Sequence, residues 1–190
     1  MPGQVAFEVI RHGSVIGTHA VRFEVKGRRL LAHIDVNMRV GFGPITFFRY
    51  RHQGVEEWED GVFQSLETRT DNNGEALSVS AKRIDGGVEI HTRDSAPKLA
   101  PAGALPLTHW NLACMSAPLF NPQDGMTLTE TASFVGHDTV ALANGSEVPA
   151  TRYALKGAAP IDDWYEADRT WTALRAQVKD GSIVTYRRIV

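Results

Sequence analysis

Two-residue turn signals punctuate this chain from end to end, and they constrain its fold more than any other feature. Asp60-Gly61, Asn73-Gly74, Asp85-Gly86, Asn144-Gly145 and Asp180-Gly181 separate runs of alternating apolar and polar residues, and Gly13 and Gly27 mark further breaks. Asn-Gly and Asp-Gly favour type I′ turns because both central residues take positive φ, and such turns join antiparallel neighbours. The pattern predicts one continuous antiparallel meander.

The cleanest alternation follows Gly27. Leu30, Ala32, Ile34, Val36, Met38 and Val40 point one way, and Leu31, His33, Asp35, Asn37 and Arg39 the other. A period of two over that length means that one face packs on a core while the other meets water or a polar cavity. Gly41-Phe42-Gly43-Pro44 breaks the run. A second long strand from Ile45 to Trp58 puts Phe48, Tyr50 and His52 on one face and Phe47, Arg49 and Arg51 on the other.

The middle of the chain differs. Ser95 to Leu107 carries Pro97, Pro101 and Pro106 and reads as an extended connection. Thr108 to Ala117 is the one short helix predicted, with Thr108 as N-cap and Pro118 beyond its end. Strand patterns resume near Met126 and run to Ile189. With 190 residues, 43% of them hydrophobic, the chain suits a single antiparallel β domain over residues 1–190. The predicted class is all-β: a curved half-barrel or a barrel, with the short central helix at its mouth. A large concave sheet face must be covered or line a cavity.

Composition excludes several functions. A net charge of -2 carries no basic excess for nucleic acid. The lone cysteine, Cys114, allows no intramolecular disulfide. No run approaches the roughly 18 apolar residues of a membrane-spanning helix. The start Met1-Pro2-Gly3-Gln4 lacks a basic region followed by an apolar one. Two expectations stay open there, a cytoplasmic protein without a leader or a chain restarted after its leader was removed.

No catalytic motif stands out. The seven histidines, His12, His19, His33, His52, His91, His109 and His137, form no ligand spacing, so neither a metal nor another cofactor is expected. Cys114 lies five residues after His109, which puts the two on different faces of a helix and reads as a buried small hydrophobe. The acidic pairs Glu56-Glu57, Glu59-Asp60 and Asp162-Asp163 read as solvated surface. The polar stripe His33, Asp35, Asn37 and Arg39, with Arg49, Arg51 and His52 on the next strand, admits two readings: a solvated outer face, or polar anchors inside a cavity. Among the aromatics, most of which suit a core, Trp110 on the predicted helix is the candidate cavity wall.

Several longer strings carry a family likeness. They include Phe7-Glu8-Val9-x-Arg11-x-Gly13-x-x-Ile16-Gly17-Thr18-His19, Tyr50-Arg51-His52 followed by Glu57-Trp58-x-x-Gly61, Thr70-Asp71-x-Asn73-Gly74 and His109-Trp110-Asn111. Two more are Val148-Pro149-Ala150-x-Arg152-Tyr153-x-Leu155-x-Gly157 and Trp164-Tyr165-Glu166-Ala167-Asp168. Together they resemble a family of uncharacterised bacterial secreted proteins, over nearly the whole chain. That family is distantly like the periplasmic lipoprotein carriers. The resemblance implies a half-barrel, a leader in the full gene product, a periplasmic or secreted location and no assigned activity.

The leading functional expectation is non-enzymatic: binding or carriage of a hydrophobic or amphiphilic small molecule, lipid-like, in the bacterial envelope. Candidate ligand-binding residues are Trp110, Tyr50, Arg51, His52, His33 and Asn37. The alternatives are an enzyme working in the same concavity, because fold alone does not decide activity, and a structural envelope protein without a ligand.

Overall fold

A computed structural model describes residues 3–42, 45–93, 95–157, 160–178 and 180–190. Seven antiparallel strands follow one another directly: β1 (Gln4–Arg11), β2 (Ser14–Lys26), β3 (Arg29–Phe42), β4 (Ile45–Glu59), β5 (Val62–Asn72), β6 (Glu75–Ile84) and β7 (Gly87–Thr92). β8 (Ser95–Pro101) pairs with β7, so this part of the expected connection is itself a sheet strand. The predicted break at Gly43-Pro44 lies outside the described residues. After the central segment come β12 (Thr131–Ala141), β13 (Glu147–Lys156), β14 (Ile161–Tyr165), β15 (Trp171–Gln177) and β16 (Ile183–Ile189).

All thirteen belong to one sheet, in the order β12-β13-β14-β15-β16-β1-β2-β3-β4-β5-β6-β7-β8. Every neighbouring pair but one is adjacent in sequence. The exception joins the two ends of the chain, where β1 runs antiparallel to β16 with Ala6 opposite Ile189 and Arg11 opposite Val184. The two outermost strands, β12 and β8, do not pair, so the barrel is open. Irregularities at Val9/Ile10, Glu57/Trp58 and Trp164/Tyr165 add to the twist that curls so wide a sheet.

The turn chemistry explains the hairpins. At Asp60-Gly61 and Asn73-Gly74 both residues have positive φ (49° and 76°, 56° and 99°), the type I′ geometry expected of such pairs. The alternation then fixes which face curls inward. Val5, Phe7, Val21, Ala32, Ile34, Val36, Leu66 and Ile90 are all buried on the concave side.

The residues between β8 and β12 fold back into that concavity as a plug. It holds a small three-stranded sheet of β9 (Leu105–Pro106), β10 (Leu119–Phe120) and β11 (Thr127–Leu128). The plug buries Leu105, Trp110, Cys114, Leu119 and Phe120 against the large sheet. Trp110 packs edge-on to Phe23 and Trp58, with ring centroids 5.1 and 5.6 Å away, and Phe120 to Phe63 at 6.2 Å.

The helix expected over Thr108–Ala117 does not form. Its place is taken by a 3-10 turn of five residues, Leu112–Ser116, capped by the Asn111 side chain on Ala113 N–H. His109 has φ +61° and Trp110 N–H bonds Thr108 C=O, so the backbone turns sharply before helix could start. Contacts from the sheet to His109 and Trp110, described next, override the local preference. No α-helix occurs among the described residues, and none there is long and apolar enough to cross a membrane.

Candidate ligand-binding site

The plug covers the concave face incompletely. Between it and strands β2, β3, β4 and β16 lies a cavity of about 600 Å³. Its walls are mainly apolar, from Ile16 on β2, Ile34, Val36, Met38 and Val40 on β3, and Phe48 on β4, with Leu107 and Pro122 contributed by the plug. Polar side chains also line it, among them His19, Tyr50, His52, Asn72, His109 and Tyr186. Arg11 and Asp180 also line it and pair with each other, so that charge is already compensated. An apolar wall with a few convergent polar groups is the usual composition of a small-molecule site.

Strand register brings these polar residues together. His19 on β2 faces Val36 on β3, which faces His52 on β4. On the other side His19 faces Phe7 on β1, and Tyr186 on β16 sits beside β1 opposite Val9. His52 Nδ1 is 2.8 Å from Thr70 Oγ1, its cross-strand neighbour on β5. His19 has no such support, and both its ring nitrogens are buried without a hydrogen-bond partner. Burial pulls its pKa down to about 3, with His109 and His52 adding repulsion, and burial likewise holds His52 near 4. Both rings are therefore neutral at neutral pH. Burial also raises the phenols of Tyr50 and Tyr186 above their ordinary value.

Two buried carboxylates fasten the plug to the sheet. On β14, Asp163 is 0% exposed; its Oδ2 lies 2.8 Å from His109 Nδ1 and its Oδ1 accepts from Trp171 Nε1 at 3.0 Å. The His109 ring stacks on Trp171, and the His109 carbonyl accepts from the Tyr165 hydroxyl at 2.7 Å. On β4, Glu56 is also 0% exposed, and its Oε2 accepts from the indoles of Trp58 at 2.9 Å and Trp110 at 3.2 Å. Burial raises the Glu56 carboxyl to about 7, with the indole N–H groups opposing. The expectation that Glu56 and Asp163 are solvated surface is thus corrected. Glu56-Glu57 and Asp162-Asp163 do split across the sheet, but Glu56 and Asp163 point inward: Asp163 meets an indole and an imidazole nitrogen, and Glu56 takes two indole N–H groups on Oε2 while its buried Oε1 has no partner.

Of the residues singled out from the sequence, Tyr50 and His52 line the cavity. Trp110, on the plug, is buried in the core at 6% exposure and does not line the cavity. His33, Asn37 and Arg51 alternate with the inward-facing residues of β3 and β4 and so sit on the convex face, where His33 approaches Glu24 at 3.5 Å. That outer face has a hollow of its own, of about 590 Å³, along His33, Asp35 and Gln53. Its side chains are solvated and mutually bonded, as in Gln53 to Asp35 at 2.7 Å, so it offers a ligand little that water does not. Cys114 is buried with its thiol on Pro106 C=O and pushed up to about 12, which leaves it inert.

Sequence reasoning missed His19, His109 and Tyr186 as cavity residues. His19 was legible in principle, since it falls in phase with Val21 on an apolar strand face. His109 was not, because its position depends on a turn that only the sheet contacts impose.

The comparisons agree with this architecture. Residues 7–189 match a family described as a domain of unknown function, DUF6134, and the chain belongs to that family. A crystal structure of a beta-barrel-like protein of another domain of unknown function, DUF1849, from Brucella abortus is similar in fold. It superposes with a TM-score of 0.69 over 98% of this chain and 94% of that one, at 9% sequence identity. A search of curated proteins returned no match.

Proposed function

We propose that the protein binds an apolar or amphiphilic small molecule in the cavity between plug and sheet. One observation carries the reading: a cavity of about 600 Å³, walled by Ile34, Val36, Met38 and Phe48, with unpaired imidazole nitrogens at its inner side. That volume accommodates a chain of lipid size, and its walls exclude strongly hydrated ligands. In this reading the protein works in the bacterial envelope, which only the sequence resemblance to secreted bacterial proteins supports. Native mass spectrometry of the purified protein tests the binding reading, with displacement of an apolar fluorescent probe as the second measurement. Uptake of one probe per chain, lost when Val36 or Met38 is enlarged to Trp, is the expected result. A protein that takes up no apolar probe would sink it.

A second reading is favoured by the His109–Asp163 pair. A carboxylate at Nδ1 holds the imidazole with Nε2 as a hydrogen-bond acceptor, the arrangement of a general base. In that reading the cavity is an active site, and turnover of an ester or amide amphiphile that disappears in His109→Gln distinguishes it from simple carriage.

A further inference from the structure

We propose that His19 is a ligand-binding residue and that the cavity selects amphiphiles with an uncharged, hydroxyl-type head over those with a carboxylate. This rests on the reading of the cavity as an amphiphile site. His19 is 7% exposed, lines the cavity, and has neither ring nitrogen bonded to protein. Aromatic rings surround it: Trp171 at 5.1 Å, Tyr186 at 5.6 Å and Phe7 at 6.3 Å between centroids. A phenylalanine would fill that space without stranding a polar group. The chain therefore carries a desolvation cost that a hydrogen-bonding guest would remove.

The charges around the site define the guest. Among the described residues the one cation that lines the cavity, Arg11, is engaged with Asp180 and Ser182. The fully buried charges of this region are acidic, Asp163 behind His109 and Glu56 behind Trp110. An anionic head would be desolvated beside Asp163 without a counter-charge. A hydroxyl meets no such obstacle. A neutral imidazole offers one donor and one acceptor, both free at His19, and His109 offers its Nε2 as a further acceptor once Nδ1–H is given to Asp163.

The test uses the full chain at about pH 8 loaded with N-phenyl-1-naphthylamine, whose uptake first checks the cavity reading itself. Decan-1-ol and decanoate, both below their aggregation limits, then compete for the probe. Decan-1-ol is expected to displace it at a concentration at least about tenfold lower than decanoate. His19→Phe should raise the decan-1-ol midpoint by about tenfold while raising the melting temperature of the empty protein. A merely structural histidine would lower both binding and stability, or stability alone. His19→Gln, which keeps a donor and an acceptor, should retain alcohol binding and covers the case in which the Phe variant does not fold. Equal or stronger competition by decanoate overturns the selectivity with the cavity reading intact. Unchanged alcohol affinity in His19→Phe overturns the role of His19. Failure of the probe to bind overturns both readings.

Discussion

Trp110 donates its indole N–H to Glu56 across 3.2 Å, and this buried contact joins the plug to the fourth strand. The neighbouring residue, His109, is gripped by Asp163 from the other half of the sheet. Two consecutive plug residues are thus held from two directions, and removing either grip should loosen the same segment.

Trp110→Ala is expected to destabilise by about 3–5 kcal/mol, the cost of emptying a large aromatic site. It also leaves Glu56 with one indole fewer. Urea unfolding measures the change, and a loss under about 1 kcal/mol would mean that the plug does not depend on Trp110.

Glu56 should give stability a pH dependence of unusual sign. Its folded pKa, about 7, lies above the ordinary carboxyl value of 4.5. Its contribution is therefore complete below 4.5 and disappears as pH rises through 7. Glu56→Gln keeps an acceptor for both indoles and removes the charge, so it should be more stable than the parent above pH 7, on the order of 2–3 kcal/mol. Parallel pH–stability curves for the two proteins would contradict this.

His19 and His52 act in the opposite sense. Their folded pKa values, about 3 and 4, lie below the ordinary 6.5, so the unfolded chain takes up protons first as pH falls. Each should subtract about 1.4 kcal/mol per pH unit below 6.5, partly offset by Glu56 down to 4.5. His19→Phe should flatten this acid limb, which thermal melts between about pH 7 and 4.5 would reveal.

Val36→Asp places a charge at a buried position between His19 and His52 and should cost about 3 kcal/mol. Arg51→Ala, on the convex face, should change stability by less than about 0.5 kcal/mol and leave probe uptake untouched. A reversal of these two results would mean that the faces of β3 and β4 have been exchanged.

The strands and the facing of β3 were legible because a period of two leaves little choice: slipping by one residue would expose Ile34 and Val36 together. The plug was not legible. Thr108 to Ala117 satisfies local rules for a helix, and only the pull of Asp163 and Glu56 on His109 and Trp110 forbids it. Those acids were hidden for a related reason. In Glu56-Glu57 and Asp162-Asp163 the two members look alike in sequence, and which one turns inward follows strand phase: Glu56 shares the phase of His52 and Trp58, and Asp163 that of Tyr165. Tyr50 and His52 entered the candidate site because they share the phase of Phe48; His33, Asn37 and Arg51 occupy the opposite phase.

The seam between β1 and β16 also bears on how the protein comes into being. Ala6 waits for Ile189, and Arg11 for Val184, so the outer edge of the first strand stays unpaired until the last strand has been synthesised. Until then the amino-terminal hairpins carry an apolar face and an open edge at once, the combination most exposed to wrong partners. Chains cut short before β16 should aggregate rather than circulate as stable fragments, and cellular holding factors that shield strand edges should matter more to this protein than its modest size suggests.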